Sequence, residues 1–467
     1  MSQRRTGPLS AESLLLTVLV VARVRIDTLA DLVAPRPEET IRGLPLVGGL
    51  LDDQAWALMR QWLTDPFSLL LIAATFALLG LYFAVDAGRH RLPDTTVHRI
   101  KLGLIVALVG CTVVAQSLFL IALRQATGPA AFTHDGGVIQ TEAALDMLLA
   151  GENPYAEDYL DTPLAEWGLE KRTALYHYPY LPWTLLSSIP AKLLIESALG
   201  WYDQRFVYLA LFALTLALLP GLAAGRTAAR MLLMVVALNP IMGNDIIFGM
   251  NDSFVLAWMV FSLWLLRRGR TRLAAGVLGL ALASKPTAWF LAPFYALYLV
   301  RGCPGVGAAL RRIVREAWPA VVVFAILVLP FAAWDPAAFY DDVWAWSAGT
   351  SSTPYQIRGW GLSNLVLALG LVESDQSYFP FWIIQALVCA PALALLMRRL
   401  WREPSIASVW YDTAMLFGLY SFTSRFFNEN YVGFLVALLA MSALSDAGAD
   451  PGCASTARPV PEAARSE

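Results

Sequence analysis

The apolar residues of this chain come in long unbroken runs, and short clusters of arginine separate the runs. Only a bilayer solvates such runs, because a soluble protein alternates apolar and polar faces along its surface elements. Of 467 residues, 57% are hydrophobic and 15% charged, where soluble domains carry about 25% charged residues. A soluble enzyme is excluded. The formal charge of −2 leaves no surplus of cations for a phosphate backbone, so nucleic acid is not expected as a partner. Cys111, Cys303, Cys389 and Cys453 lie far apart with no CxxC spacing, which suggests neither a disulfide framework nor a zinc site.

The charges sort by position. Five basic stretches punctuate the runs: Arg89 to Lys101, Arg226 with Arg230, Arg267 to Arg272, Arg301 to Arg315, and Arg398 to Arg402. They hold seventeen of the 34 Lys and Arg, against only Asp94, Glu316 and Glu403. The positive-inside rule puts these loops in the cytoplasm. The stretch 125–180 has the opposite balance, nine acids against Lys171 and Arg172. It is the longest polar segment, and the flanking basic loops place it outside.

Crossings then fall at 66–86, 102–123, 203–222, 231–243, 253–266, 273–284, 287–300, 317–333, 379–397, 406–421 and 431–446. Segments 181–199 and 361–372 would invert the rest and read as re-entrant or interfacial helices on the outer side. Segment 12–22 is short and followed by Arg23 and Arg25, so it is either a first crossing or a surface helix. The expected fold is all-α and polytopic, with about 10–13 transmembrane or re-entrant helices. Residues 1–65 form an N-terminal segment of open topology, 66–446 a membrane-embedded unit, and 447–467 a polar cytoplasmic tail expected to be disordered.

Polar residues gather on the outer side. THDGG supplies His134 and Asp135 before two glycines, which permit close backbone approach to a ligand. Gln140 and Glu142 open the amphipathic helix that follows. Asp135 reads as a catalytic or ligand group, or as the N-cap of that helix, and the two roles are compatible. The loop ends in YHYPYLP, where His177 is a candidate proton carrier or phosphate donor and Tyr178 sits in an aromatic belt. Asn251 and Asp252 follow between apolar helices, with Lys285 in the next outer turn as the cationic partner of Asp252. Arg358, Arg425 and Asn428 lie in the last outer segments. Outer-side cations are scarce, and arginine suits bidentate phosphate capture or snorkelling to headgroups. There is no Walker A or Rossmann fingerprint, so chemistry driven by a cytosolic nucleotide is not expected.

In order, DGGVIQTEAALDMLLAGENPY, YHYPYLP, GMND and an ASKP turn resemble the GT-C superfamily of membrane glycosyltransferases. The likeness is greatest to glycosyltransferase family 87, the polyprenyl-phosphate-mannose-dependent α-mannosyltransferases, and spans roughly residues 100–445. Where family members often carry Gln in a GQND-like motif, this chain has Met250, so only Asn251 and Asp252 carry over. The resemblance implies a GT-C-like catalytic domain over 66–446, with the extracytoplasmic catalytic loop at 125–180. It implies Asp135 as general base in an inverting transfer, most simply of mannose, from a polyprenyl-phosphate donor to a lipid or glycan acceptor outside the plasma membrane. His134, Gln140, Glu142, His177, Tyr178, Asn251, Asp252, Lys285, Arg358, Arg425 and Asn428 are the expected substrate-binding set. No cofactor is required; the loop acids leave a divalent metal open without demanding one. The alternatives are a polyprenyl-phosphate-arabinose enzyme and a transporter or flippase of lipid-linked sugars, although no internal repeat of the transporter kind is evident.

Overall fold

A computed structural model describes residues 9–33, 36–59, 64–168 and 172–446. The tail 447–467, and Glu170 and Lys171 of the acidic loop, lie outside the described residues. Apart from one two-residue parallel pair, the regular structure is helical. The all-α polytopic expectation holds. Four helices are long and apolar enough to cross a membrane, or five when one bent pair counts as a span.

The longer helices are α1 (Ala11–Val33), α2 (Pro66–Ala87), α3 (Asp94–Thr127), α4 (Thr141–Ala150), α5 (Arg205–Leu218), α6 (Arg226–Ala237) and α7 (Pro240–Phe248). After them come α8 (Asp252–Arg267), α9 (Thr271–Leu282), α10 (Ala292–Leu299), α11 (Val306–Trp334), α12 (Phe381–Arg402), α13 (Ile406–Phe422) and α14 (Glu429–Leu444). Their boundaries follow local chemistry. Asp65 accepts the Ser68 N–H at 2.9 Å and Pro66 opens α2, since proline needs no intrahelical donor there. Ser405 caps α13 in the same way, through the Ser408 N–H at 2.9 Å.

The crossing expected at 231–243 is instead α6 and α7 meeting at a 53° bend. Pro240 disfavours helical geometry at Asn239, and the Asn239 side chain accepts the N–H groups of Ile241 and Met242, so a new helix starts there. Segment 12–22 is only the first half of α1, which continues through Arg23 and Arg25 and packs against α2, α6 and α7. Segments 181–199 and 361–372 form only short helices, Trp183–Leu186, Ile189–Leu199 and Ser363–Ala368. The expected crossing 287–300 is a 3-10 turn followed by the eight-residue α10.

The core centres on α8, which packs between α5 and α9 and buries both its polar start and its apolar length. By contrast, only 6% of the apolar window of α12 is buried, so its side chains are left for lipid. Hydrogen bonds tie the basic connections to one end. Arg267 reaches the Gly221 carbonyl at 2.9 Å and Asp446 at 2.7 Å, and the Ala224 N–H meets the Leu444 carbonyl at 2.9 Å. The acidic loop packs at the other end, where the Leu181 N–H meets the Ser284 carbonyl at 3.0 Å.

Candidate active site

α3 delivers the chain to the loop end, where Gly128 turns it back. Phe132, at φ 52°, is the one non-glycine residue with positive φ among the described residues. That conformation costs about 1–2 kcal/mol for a residue with a Cβ. His134 and Asp135 follow, and Asp135 starts a π-turn over Asp135–Gln140 that runs into α4. The N-cap position falls on His134, with no side-chain cap bond, so the Asp135 carboxylate is not consumed as a cap.

Two motifs distant in sequence meet here. A Cβ on Gly137 would collide with the Gly249 carbonyl, and one on Gly136 with the Tyr180 hydroxyl. The His134 N–H donates to the Phe248 carbonyl at 2.8 Å. DGG therefore lies against the start of GMND, and glycine is needed because backbone approaches backbone.

Asp135 Oδ1 lies 2.6 Å from His134 Nδ1, an ion-pair distance for a protonated imidazole. The angle is not that of a hydrogen bond, and the ring nitrogen has no hydrogen-bond partner. Burial pushes the Asp135 carboxyl up, but His134, the Gly136 N–H and Arg358 outweigh it and hold the group below its ordinary value. Its side chain retains 19% exposure. The carboxylate is ionised, reachable and unclaimed by any structural partner but its neighbours.

Lys285 closes one wall. Its ammonium donates to Asp252 at 2.7 Å and Asn251 at 3.0 Å, and Asn430 donates to the other Asp252 oxygen. The rings of Tyr180 and Tyr431 flank Lys285 at 5.7 and 5.5 Å. The expected Asp252–Lys285 pair is present, and Asn251 joins it.

The two outer arginines part company. Arg358 starts β1 (Arg358–Gly359), which pairs in parallel with β2 (Phe426–Phe427), and it is exposed. Arg425 is 2% exposed. It donates to the backbone carbonyls of Tyr355, Ser377 (2.9 Å) and Asp375 (3.3 Å), and burial lowers its guanidinium to about 10. Arg425 frames the segment that bears Arg358; its donors are already taken by backbone oxygens. Asn428 donates to the Tyr355 hydroxyl at 3.2 Å.

Other expected ligands also turn out to be braces. The Gln140 amide donates to the carbonyls of Ala174 (2.7 Å) and His177. Glu142 pairs with Arg124 at 2.7 Å and accepts the Gln204 N–H at 2.7 Å. His177 is buried, with Nδ1 2.8 Å from Asp342 and Nε2 on Thr353, and the Tyr178 N–H donates to Asp342 at 2.8 Å. Burial pushes Asp342 up to about 6 against the opposing pull of His177. Donor atoms of His177, Asp341 and Asp342 lie within 4.8 Å of one another, a set with the chemistry to hold a divalent cation.

Residues that sequence reasoning passed over form the floor. Arg205 binds Asp203 through Nε (2.8 Å) and Nη2 (2.7 Å), and Asp203 also takes Arg124 at 2.8 Å. Asp203 and Arg205 are fully buried. The signal was available: Arg124 and Arg205 stand at the outer ends of two expected crossings, where cations are scarce.

Comparison with known families adds the chemistry. Residues 143–301 match the model of the MptA_B family, described as Alpha-(1->6)-mannopyranosyltransferase, N-terminal domain. The chain carries a mannosyltransferase-family domain. This match supports the GT-C resemblance drawn from the motifs and a glycosyltransferase as the class of enzyme. It includes GMND and the Lys285 turn; Asp135, Arg358 and Arg425 lie outside it. Comparison with curated proteins and with solved structures gave no match.

Proposed function

We propose that this protein is a plasma-membrane glycosyltransferase that moves mannose from a polyprenyl-phosphate donor to an extracytoplasmic lipid or glycan acceptor, with inversion. One observation carries the reading: an ionised carboxylate, Asp135, stands partly exposed beside an exposed arginine, Arg358, at the end of a membrane bundle. In this reading 66–446 is the catalytic unit, and the loop end faces outside because the arginine-rich connections stay in the cytoplasm.

Asp135 removes the proton of the acceptor hydroxyl as that oxygen attacks the anomeric carbon. The bond from that carbon to the phosphate oxygen breaks, its electron pair leaves with the polyprenyl phosphate, and the configuration inverts. Arg358 stabilises the charge that gathers on the departing phosphate. Lys285, neutralised by Asp252, shapes the wall beside Tyr180. His134 keeps Asp135 ionised between turnovers, so the base is ready at neutral pH. No step is routed through a metal.

The test is a donor screen on purified, reconstituted protein, with mass spectrometry of the product. Transfer from polyprenyl-phosphate mannose is the expected result; transfer from polyprenyl-phosphate arabinose alone, or from neither, overturns the assignment. Sidedness is read by a cysteine at Glu157 in a background lacking the native cysteines. Labelling by an impermeant thiol reagent from the cytoplasmic side only would reverse the orientation.

A further inference from the structure

Asp135 is held by a residue that does not touch it. Arg205 Nη1 donates both to the Phe132 carbonyl at 2.9 Å and to the Ile247 carbonyl at 3.1 Å. The next carbonyl, that of Phe248, receives the His134 N–H at 2.8 Å and the Thr133 hydroxyl at 3.3 Å. One guanidinium nitrogen therefore sews the approach to Asp135 onto the end of α7. The residue it grips, Phe132, is the one whose backbone is left-handed without being glycine. The rest of the guanidinium cannot drift, because Nε and Nη2 are locked on Asp203, which is itself held by Arg124.

We infer that Arg205 is a positioning residue for the catalytic base, acting by holding Phe132 in its left-handed conformation so that His134 and Asp135 leave the backbone at the working angle. The inference rests on Asp135 being the base. Strain of this kind persists only where surroundings over-determine it, and it concentrates at functional sites. Lysine cannot replace the grip: a single ammonium lacks the planar fork that spans a carboxylate on one side and two carbonyls on the other.

The experiment compares Arg205→Lys, Phe132→Gly, Phe132→Val and the double variant Arg205→Lys/Phe132→Gly in reconstituted, full-length protein. Arg205→Lys should lose at least about tenfold in kcat with donor KM within about twofold of wild type, since geometry at the base is lost and the donor wall is not. Glycine adopts positive φ without a Cβ clash, so Phe132→Gly should stay near wild type and, in the double variant, restore most of the lost kcat. A role for Arg205 in folding alone predicts no such rescue. If Arg205→Lys does not fold, Phe132→Val probes the same geometry, since a β-branched residue resists positive φ; it should lower kcat with KM unchanged. Hydrogen exchange reads the proposal without turnover. The His134 amide should exchange at least about tenfold faster in Arg205→Lys or Phe132→Val and regain protection in the double variant. Wild-type kcat in Arg205→Lys, a double variant no better than the single, or unchanged exchange at His134 overturns the positioning role. Absence of turnover in wild type, with the exchange pattern intact, instead strikes the proposed reaction.

Discussion

The two ends of the bundle both bury charge, and they treat it differently. At the arginine-rich end Glu12 pairs with Arg230 at 2.9 Å and accepts the Tyr82 hydroxyl. Beside it Lys101 donates to Asp86 at 2.6 Å, and Asp86 also takes the Ser13 hydroxyl at 2.8 Å and the Ser10 N–H at 2.9 Å. Glu12, Asp86 and Lys101 are each buried and answered, and the lattice fastens α1 to α2, α3 and α6. At the loop end the lattice of Arg124, Glu142, Asp203 and Arg205 is equally closed, yet just above it Asp135 and Arg358 are left open. Closed charge holds a backbone in place; open charge is what a substrate can still engage.

The comparison breaks first at Asp135. Asp135→Asn should cost about 10²–10⁴-fold in turnover, the usual worth of a general base, with unchanged resistance to unfolding. Near-normal transfer by a folded variant would move the base elsewhere. Lys101→Met should do the converse. It leaves Asp86 buried without its main partner and should destabilise the fold by about 3–5 kcal/mol, while activity per folded molecule stays at wild type.

The two outer arginines sharpen the contrast within one end. Arg358→Ala should lower kcat by about 10²-fold with little change in stability, as expected for a donor aimed at developing charge. Arg425→Ala should leave donor KM within about twofold and destabilise by about 1–3 kcal/mol, because three backbone carbonyls lose their donor. A pattern with those effects exchanged would refute the division between frame and site. The smallest effect is on pH. Because His134, the Gly136 N–H and Arg358 hold the Asp135 carboxyl down, the acid limb of kcat/KM should lie below the ordinary aspartate value of about 3.9. Arg358→Ala should move that limb upward; a limb that stays put would remove Arg358 from the surroundings of the base.

Much of this was legible before any coordinates. Apolar runs and their arginine punctuation gave α2, α3, α8, α12 and α13 close to their observed bounds, because burial in lipid leaves a compositional trace. The Asp252–Lys285 pair was readable for a related reason: opposite charges at membrane depth have few other partners. Arg425 was misread because its partners are backbone carbonyls, which look the same in every sequence. Gln140 and His177 escaped in the same way, their contacts being set by how the loop folds back. The bend between α6 and α7 was written locally in Asn239-Pro240, and reading 231–243 as one run hid it.

A π-turn interrupts α3 at Gly110–Val114, between the Lys101 lattice and Arg124. Such a turn accommodates one residue more than the α-helix around it. It therefore acts as a phase setter: remove one residue there and all that follows rotates by about 100°. Arg124 would then point away from Glu142 and Asp203, and the floor beneath Asp135 would lose its first anchor. The spacing of the transmembrane helix upstream is thus an addressing device for a site more than twenty residues away, and length changes within it should be far less tolerable than changes of side chain.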